Sequence, residues 1–140
     1  MADTIQVDIV SAEGEIFSGP AKMVFAPASQ GEVGIAPRHA PLLTLLKAGE
    51  VRVQTPDGQE QFFFVGGGAL EVQPKKVTVL ADTALRAKDI DEAAALAAKQ
   101  RAEEALKDKQ GHIDQAEALA ELARAAAQLK VLERLRKLRG

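Results

Sequence analysis

Arg86-Ala87-Lys88-Asp89-Ile90-Asp91-Glu92-Ala93-Ala94-Ala95 is the stretch on which the fold turns, because the chain changes character across it. All six prolines, all five phenylalanines and nine of the eleven glycines lie in residues 1–87, with fourteen of the seventeen Val and Ile residues. Residues 88–138 hold fourteen alanines, no proline and a single glycine, Gly111. β-Branched and aromatic side chains fit a pleated, half-buried surface, whereas Ala loses no rotamer freedom in a helix. The expectation is an α+β chain: a β-sandwich over residues 1–87, then an antiparallel α-helical hairpin over residues 88–140.

Upstream of that stretch, Ile5-Gln6-Val7-Asp8-Ile9, Val51-Arg52-Val53 and Val77-Thr78-Val79 alternate with period two. Such alternation suits strands with one face buried and one wet. Pro56-Asp57-Gly58 predicts a turn between two runs, with Gly supplying the positive φ. Phe62-Phe63-Phe64-Val65 predicts a further strand, and Gly66-Gly67-Gly68 the turn that ends it. Short strands at regular turn signals fit a sandwich or flattened barrel.

Downstream, an N-cap acid at Asp89 with Glu92 three residues later has the form of a capping box, and Asp114 with Glu117 repeats it. Lys109-Gln110-Gly111-His112 supplies a Gly stop and a short connection, which makes the two helices antiparallel neighbours. Ile90, Leu96 and Leu106, the large apolar residues of the first helix, do not share one face at ~100° per residue. Ala93, Ala94, Ala97, Ala98 and Ala105 bury little area each, so weak docking is expected. The second helix carries Leu119, Leu122, Leu129, Leu132, Leu135 and Leu138. From Leu129 the spacing is three, which rotates the stripe backwards by ~60° per step. One straight helix cannot cover it, so the last two turns are expected to face outward. Lys130, Arg134 and Lys137 form a basic stripe there, with Arg136 beside it.

The bulk composition excludes several classes. With 140 residues and 46 % apolar content the chain can bury a core. The net charge of −2 gives no reason to expect nucleic acid as a partner. No cysteine is present, so disulfides and thiolate metal sites are ruled out, which fits a reducing cytoplasm. No signal peptide is read at Met1-Ala2-Asp3-Thr4, and no apolar run approaches the ~20 residues that cross a bilayer. Membrane association is therefore expected through protein partners, without direct insertion.

Reaction chemistry is scarce. His39 and His112 lack metal-ligand spacing, and no Ser elbow, HExxH or phosphate-binding GxxxxGK[ST] occurs. Gly66-Gly67-Gly68 lacks the Lys and the helix start of a phosphate cradle. Glu13 and Glu15 flank Gly14 without a second group for acid–base work. His39 fits either a pH-sensing group or a loop residue in a protein contact. No catalytic and no metal-binding residue is expected. A free-standing adaptor, a β-sandwich with a helical docking arm, is compatible with the composition alone.

Gly31-Glu32-Val33-Gly34-Ile35-Ala36-Pro37-Arg38-His39-Ala40-Pro41-Leu42-Leu43 resembles the signature of epsilon subunits of bacterial F-type ATP synthases, GE(L/V)GILPGHAPLLT. Ala36 and Arg38 stand where the signature has Leu or Tyr and Gly. Arg takes a positive φ less readily than Gly. Val10-Ser11-Ala12-Glu13, Gly66-Gly67-Gly68-Ala69-Leu70-Glu71-Val72 and Val77-Thr78-Val79-Leu80-Ala81-Asp82 match in order. So do Ala120-Glu121-Leu122-Ala123 and Gln128-Leu129-Lys130-Val131, so the resemblance spans essentially the whole chain.

The resemblance implies a non-catalytic subunit of the central stalk, peripheral at the cytoplasmic face of the bacterial inner membrane. It implies that the sandwich binds the gamma subunit and the proton-translocating ring of c subunits, with Glu32, Arg38 and His39 near the ring. It implies a hairpin that rests on the sandwich or extends into the catalytic head of alpha and beta subunits, where it blocks ATP hydrolysis. There Lys130, Arg134, Arg136 and Lys137 would meet acidic loops. Some members also bind ATP on the folded-down hairpin through an Ile/Leu-Asp-x-x-Arg-Ala motif. Here Asp91 is kept, Ala94 replaces the motif's arginine, Arg101 and Arg124 match basic positions of that site, and Gln128 stands in place of another. Charge-assisted contacts contribute roughly 1.5–3 kcal/mol each, so without two of them ATP is not expected as a regulatory ligand.

Overall fold

Ile5, Val7 and Ile9 are fully buried while Gln6 and Asp8 between them are only partly covered, as the alternation requires. The computed structural model describes residues 3–107 and 115–138. In chain order the strands are β1 (Ile5–Ser11), β2 (Gly14–Ala21), β3 (Met23–Ala28) and β4 (Gly31–Ile35), then β5 (Leu42–Gln54), β6 (Glu60–Gln73), β7 (Lys76–Ala81) and β8 (Ala84–Arg86). They form one sheet in the order β2-β1-β7-β6-β5-β3-β4, with β8 paired to β6. Neighbours are antiparallel except β1 and β7, which run parallel. The sheet folds over on itself, so β1, β3, β5, β6 and β7 all contribute to one core.

The fold-over happens in the two long strands. In β5 the buried residues change from Leu46 to Val51 and Val53, and in β6 from Phe63 and Val65 to Leu70 and Val72. The side facing the core thus switches parity, at Gly49 in one strand and Gly66-Gly67-Gly68 in the other. The glycine triplet lies inside β6, which corrects its assignment to a strand-ending turn. Its ladder stays intact: the Gly66 amide donates to Thr83 O and the Asp82 amide to Gly67 O, each at 2.9 Å. Gly67 and Gly68 have φ of 109° and 135°. A Cβ on Gly68 would lie 2.1 Å from the Leu80 carbonyl oxygen, so only glycine fits this corner. The expected turn at Pro56-Asp57-Gly58 is present between β5 and β6, with Gly58 at φ 86°.

After β8 a single 3-10 turn, Ala87–Asp89, leads to helices α1 (Glu92–Lys107) and α2 (Gln115–Leu138). Asp91, not Asp89, caps α1: its Oδ1 accepts the Ala94 amide at 3.1 Å. Asp89 is taken up by the 3-10 turn, so the N-cap lies two residues beyond the one read from sequence. With Ala94 three residues after Asp91, it is a simple cap and not a capping box. The expected turn at Lys109-Gln110-Gly111-His112 and the cap at Asp114 lie outside the described residues.

Against each other the helices bury alanines. Ala95 and Ala102 of α1 and Ala118 and Ala125 of α2 are covered, at spacings of seven in both. Leu96 and Leu119 point away and are about half exposed, 51 % and 55 %. Further along, Val131 and Leu132 are buried with Phe62, Phe64, Ala87 and Ile90, and Leu135 packs beside them. That cluster corrects the expectation that the last two turns face outward. The drifting stripe does need two partners, but the second is the outer face of the sandwich; only Leu138, 58 % exposed, remains free at the end.

Candidate functional site

Where α2 crosses the sheet, a cleft of about 360 Å³ is lined by Glu32, Lys47, Glu50, Ala127, Lys130 and Arg134, among others. Glu50 projects from the outer face of β5, and Arg134 reaches it from α2 with 3.6 Å between Nη2 and Oε1. Arg52, two residues on, lies over the Phe25 ring at 4.1 Å and pairs with Glu60 at 3.6 Å and Glu32 at 4.0 Å. Burial pushes the Glu50 carboxyl above the ordinary glutamate value; Arg134, Arg52 and Lys130 pull it down, and Glu32 adds to the rise. The other two basic residues of the region point elsewhere. Arg136 pairs with Glu92 of α1, and Lys137 with Glu133 one turn back at 3.4 Å. The basic stripe is therefore divided between the sandwich, the first helix and its own helix.

Glu32, Arg38 and His39 share one signature in the sequence. The structure puts Glu32 near the start of β4 and in the α2 cleft, and the other two beyond the far end of that strand. Arg38 has φ 66°, the left-handed geometry for which the signature has glycine. Its amide donates to Pro74 O at 2.9 Å and its guanidinium pairs with Asp3, which ties the loop to the β6–β7 turn. His39 Nδ1 donates to Ala40 O at 2.7 Å. From this loop β5 begins with Leu43 and Leu45, 74 % and 68 % exposed. Leu45 pairs with Ala69, which pairs with Leu80, itself 50 % exposed, so an apolar row crosses three strands on an uncovered face.

The groove between the helices, about 270 Å³, brings together Arg101 and Arg124 with Ala94, Glu121 and Gln128. Arg101 is already paired with Glu121 at 3.2 Å. Asp91, the third candidate there, spends its carboxylate on the α1 cap. Two cations beside one carboxylate offer a triphosphate little net charge. Among the described residues no group of three His, Cys, Asp or Glu side chains is placed to hold a metal. Likewise, no helix among them is long and apolar enough to cross a membrane.

Glu50 and the outward phenylalanines Phe62 and Phe64 escaped the sequence reading. A signal for the latter was available: four apolar residues in a row, Phe62 to Val65, break the alternation of a strand with a wet face and imply cover on both sides. No such signal marks Glu50, which is one charged residue among many.

The family model described as "ATP synthase, Delta/Epsilon chain, beta-sandwich domain" matches residues 4–87. The one described as "ATP synthase, Delta/Epsilon chain, long alpha-helix domain" matches residues 88–133. The chain is 70 % identical over 140 residues to the ATP synthase epsilon chain of Nitrosococcus oceani, covering all of both. It is 63 % identical over 136 residues to that of Halorhodospira halophila, covering 96 % of each. A chain of the Euglena gracilis mitochondrial ATP synthase shares the fold with a TM-score of 0.70 at 18 % identity, over 98 % of this chain and 82 % of that one. One from the Tetrahymena thermophila mitochondrial central stalk and c-ring does so with 0.60 at 13 %, over 93 % and 97 %.

Proposed function

The chain belongs to the ATP synthase delta/epsilon family, and from that premise we propose that it works as a non-catalytic rotor subunit whose hairpin restrains ATP hydrolysis. The sandwich is the fixed part: it joins the gamma subunit and the ring of c subunits, and so couples the catalytic head to proton flow. The hairpin is the mobile part, which leaves the sandwich and enters the head of alpha and beta subunits. One observation carries this. The hairpin is attached through a small apolar cluster on the outer face, separate from the sandwich core, so its departure leaves that core intact.

The exposed row Leu43, Leu45 and Leu80 supplies an apolar face for a permanent partner, for which gamma is the natural candidate. Arg38 and His39 stand at the adjoining end, toward the ring. When the hairpin lifts, Lys130 and Arg134 are freed from the sandwich carboxylates and become available to acidic surfaces of the head. ATP has no regulatory part in this scheme, because Ala94 and Gln128 supply no charge and Glu121 neutralises Arg101. The location that follows is peripheral, on the cytoplasmic face of the bacterial inner membrane.

Removal of residues 88–140 from the assembled enzyme tests the scheme. Hydrolysis is expected to rise several-fold while ATP synthesis persists; unchanged hydrolysis would refute a braking hairpin. Replacing Lys130, Arg134 and Lys137 together by Ala is expected to raise hydrolysis in the same direction, but less.

A further inference from the structure

Glu50 is poorly placed for a residue that fastens a helix. Its side chain is only 10 % exposed, yet its one partner on α2, Arg134, stands 3.6 Å away, beyond hydrogen-bond reach. Its second oxygen, Oε2, is buried and has no hydrogen-bond partner among the described residues. The charged groups around it are Arg134 and Lys130 on α2, Lys47 and Arg52 on β5, and Glu32 on β4. Arg52 is shared with Glu60 of β6 and Glu32, so it is not Glu50's alone.

We propose that the Glu50–Arg134 pair is a release element: it weakens the docking of the hairpin on the sandwich and keeps that docking reversible. Docking takes a carboxylate out of water, and one long ion pair with an orphaned oxygen does not return what hydration supplied. A buried pair of this kind is commonly matched or bettered by apolar residues of the same volume, whereas removing one partner leaves a buried charge uncompensated. The two halves of the pair should therefore respond oppositely to removal. Taking away Glu50 lets Val131, Leu132 and Leu135 hold the helix down without the cost. Taking away Arg134 leaves Glu50 more expensive than before.

The same balance gives a pH dependence. Burial outweighs the neighbouring cations and raises the Glu50 carboxyl. The docked state thus holds that proton more tightly than the undocked state does. Its contribution favours docking fully below the ordinary glutamate value and is lost as pH rises through the raised value. Docking is expected to be loosest at neutral pH.

This inference rests on the proposed movement of the hairpin for its significance, but its test needs only the isolated full-length chain. The protein contains no cysteine, so Ala127→Cys places a single thiol on α2 itself, where it lines the cleft and packs against the cluster that docks the helix. Its rate of alkylation reads the undocked fraction. In that background Glu50→Met is expected to slow labelling about tenfold, and Glu50→Gln less. Arg134→Ala is expected to speed it about tenfold, and adding Glu50→Met to it should bring the rate back to wild type or below. The ratio of the wild-type to the Glu50→Met rate, in which thiol chemistry cancels, should fall as pH is lowered from 7.5 to 5. Labelling of Glu50→Met as fast as wild type or faster means that the pair fastens the helix or does nothing, and overturns the proposal. So does Arg134→Ala labelling no faster than wild type. If labelling behaves as expected but deletion of residues 88–140 leaves hydrolysis unchanged, the braking function fails and the release element stands.

Discussion

In the sandwich, Ile5, Val7, Ile9, Val24, Val51, Val72 and Val79 expose nothing at all, whereas the only buried residues of α1 are Ala95 and Ala102. A buried Val, Leu or Phe contributes roughly 1.5–3 kcal/mol and each methylene-sized group about 0.8, so residue for residue the hairpin is held far more thinly. One chain thus contains a body that keeps its shape and an arm whose attachment is a matter of a few side chains. The difference is one of buried side-chain volume: β-branched and aromatic groups fill the sandwich, and alanines fill the seam of the hairpin.

The comparison breaks first at the sandwich core. Phe63 is 1 % exposed and packs against Phe17 at 5.4 Å between centroids. Phe63→Ala is expected to cost about 3–5 kcal/mol of global stability in denaturant titration, far more than any substitution on α1. A loss under about 1 kcal/mol would mean that the core is not the rigid body described.

Gly68→Ala probes the corner where β6 folds over. A Cβ there meets backbone at 2.1 Å in a left-handed conformation, so a loss of about 1–3 kcal/mol or more is expected, with lowered thermal stability as the readout. Wild-type stability would show that the sheet can turn that corner another way.

Leu132→Ala sharpens the contrast from the other side. It removes one of the side chains joining α2 to Phe62 and Phe64, at about 2–3 kcal/mol within that cluster. Proteolysis near Arg86–Lys88 should accelerate while the β-rich fragment resists as before. Accelerated cleavage inside residues 51–80 would join the two regions into one cooperative unit.

Asp91→Ala deletes the cap of α1 and is expected to lower helix content slightly by circular dichroism, at about 1 kcal/mol. The smallest effect belongs to Asp8. Hydrogen bonds from Gln6 and Ser18, then Lys76 at 3.0 Å, hold its carboxyl below the ordinary aspartate value. A depressed carboxyl stabilises above the unfolded value and loses that contribution as pH falls through the folded one. Asp8→Asn should therefore flatten the acid limb of stability below about pH 4 and change little at pH 7.

The sequence by itself determined the division near residue 87, the period-two strands, the Pro56-Asp57-Gly58 turn and the presence of two helices. Each depends on local propensity or on periodicity, which neighbouring residues carry between them. It also located the family signature and marked Arg38 as standing where glycine is usual; the structure gives that residue φ 66°. Only the tertiary structure decided that Gly66-Gly67-Gly68 turns a corner inside a strand, because the reason is the backbone of β7 and of the two residues after it, across the ladder. Only the tertiary structure gave Leu132 and Val131 their partner and separated Glu32 from His39. It alone set Glu50 opposite Arg134, 84 positions along the chain by their numbers. Those contacts join residues remote in sequence, and periodicity within one helix says that a stripe needs covering without saying what covers it.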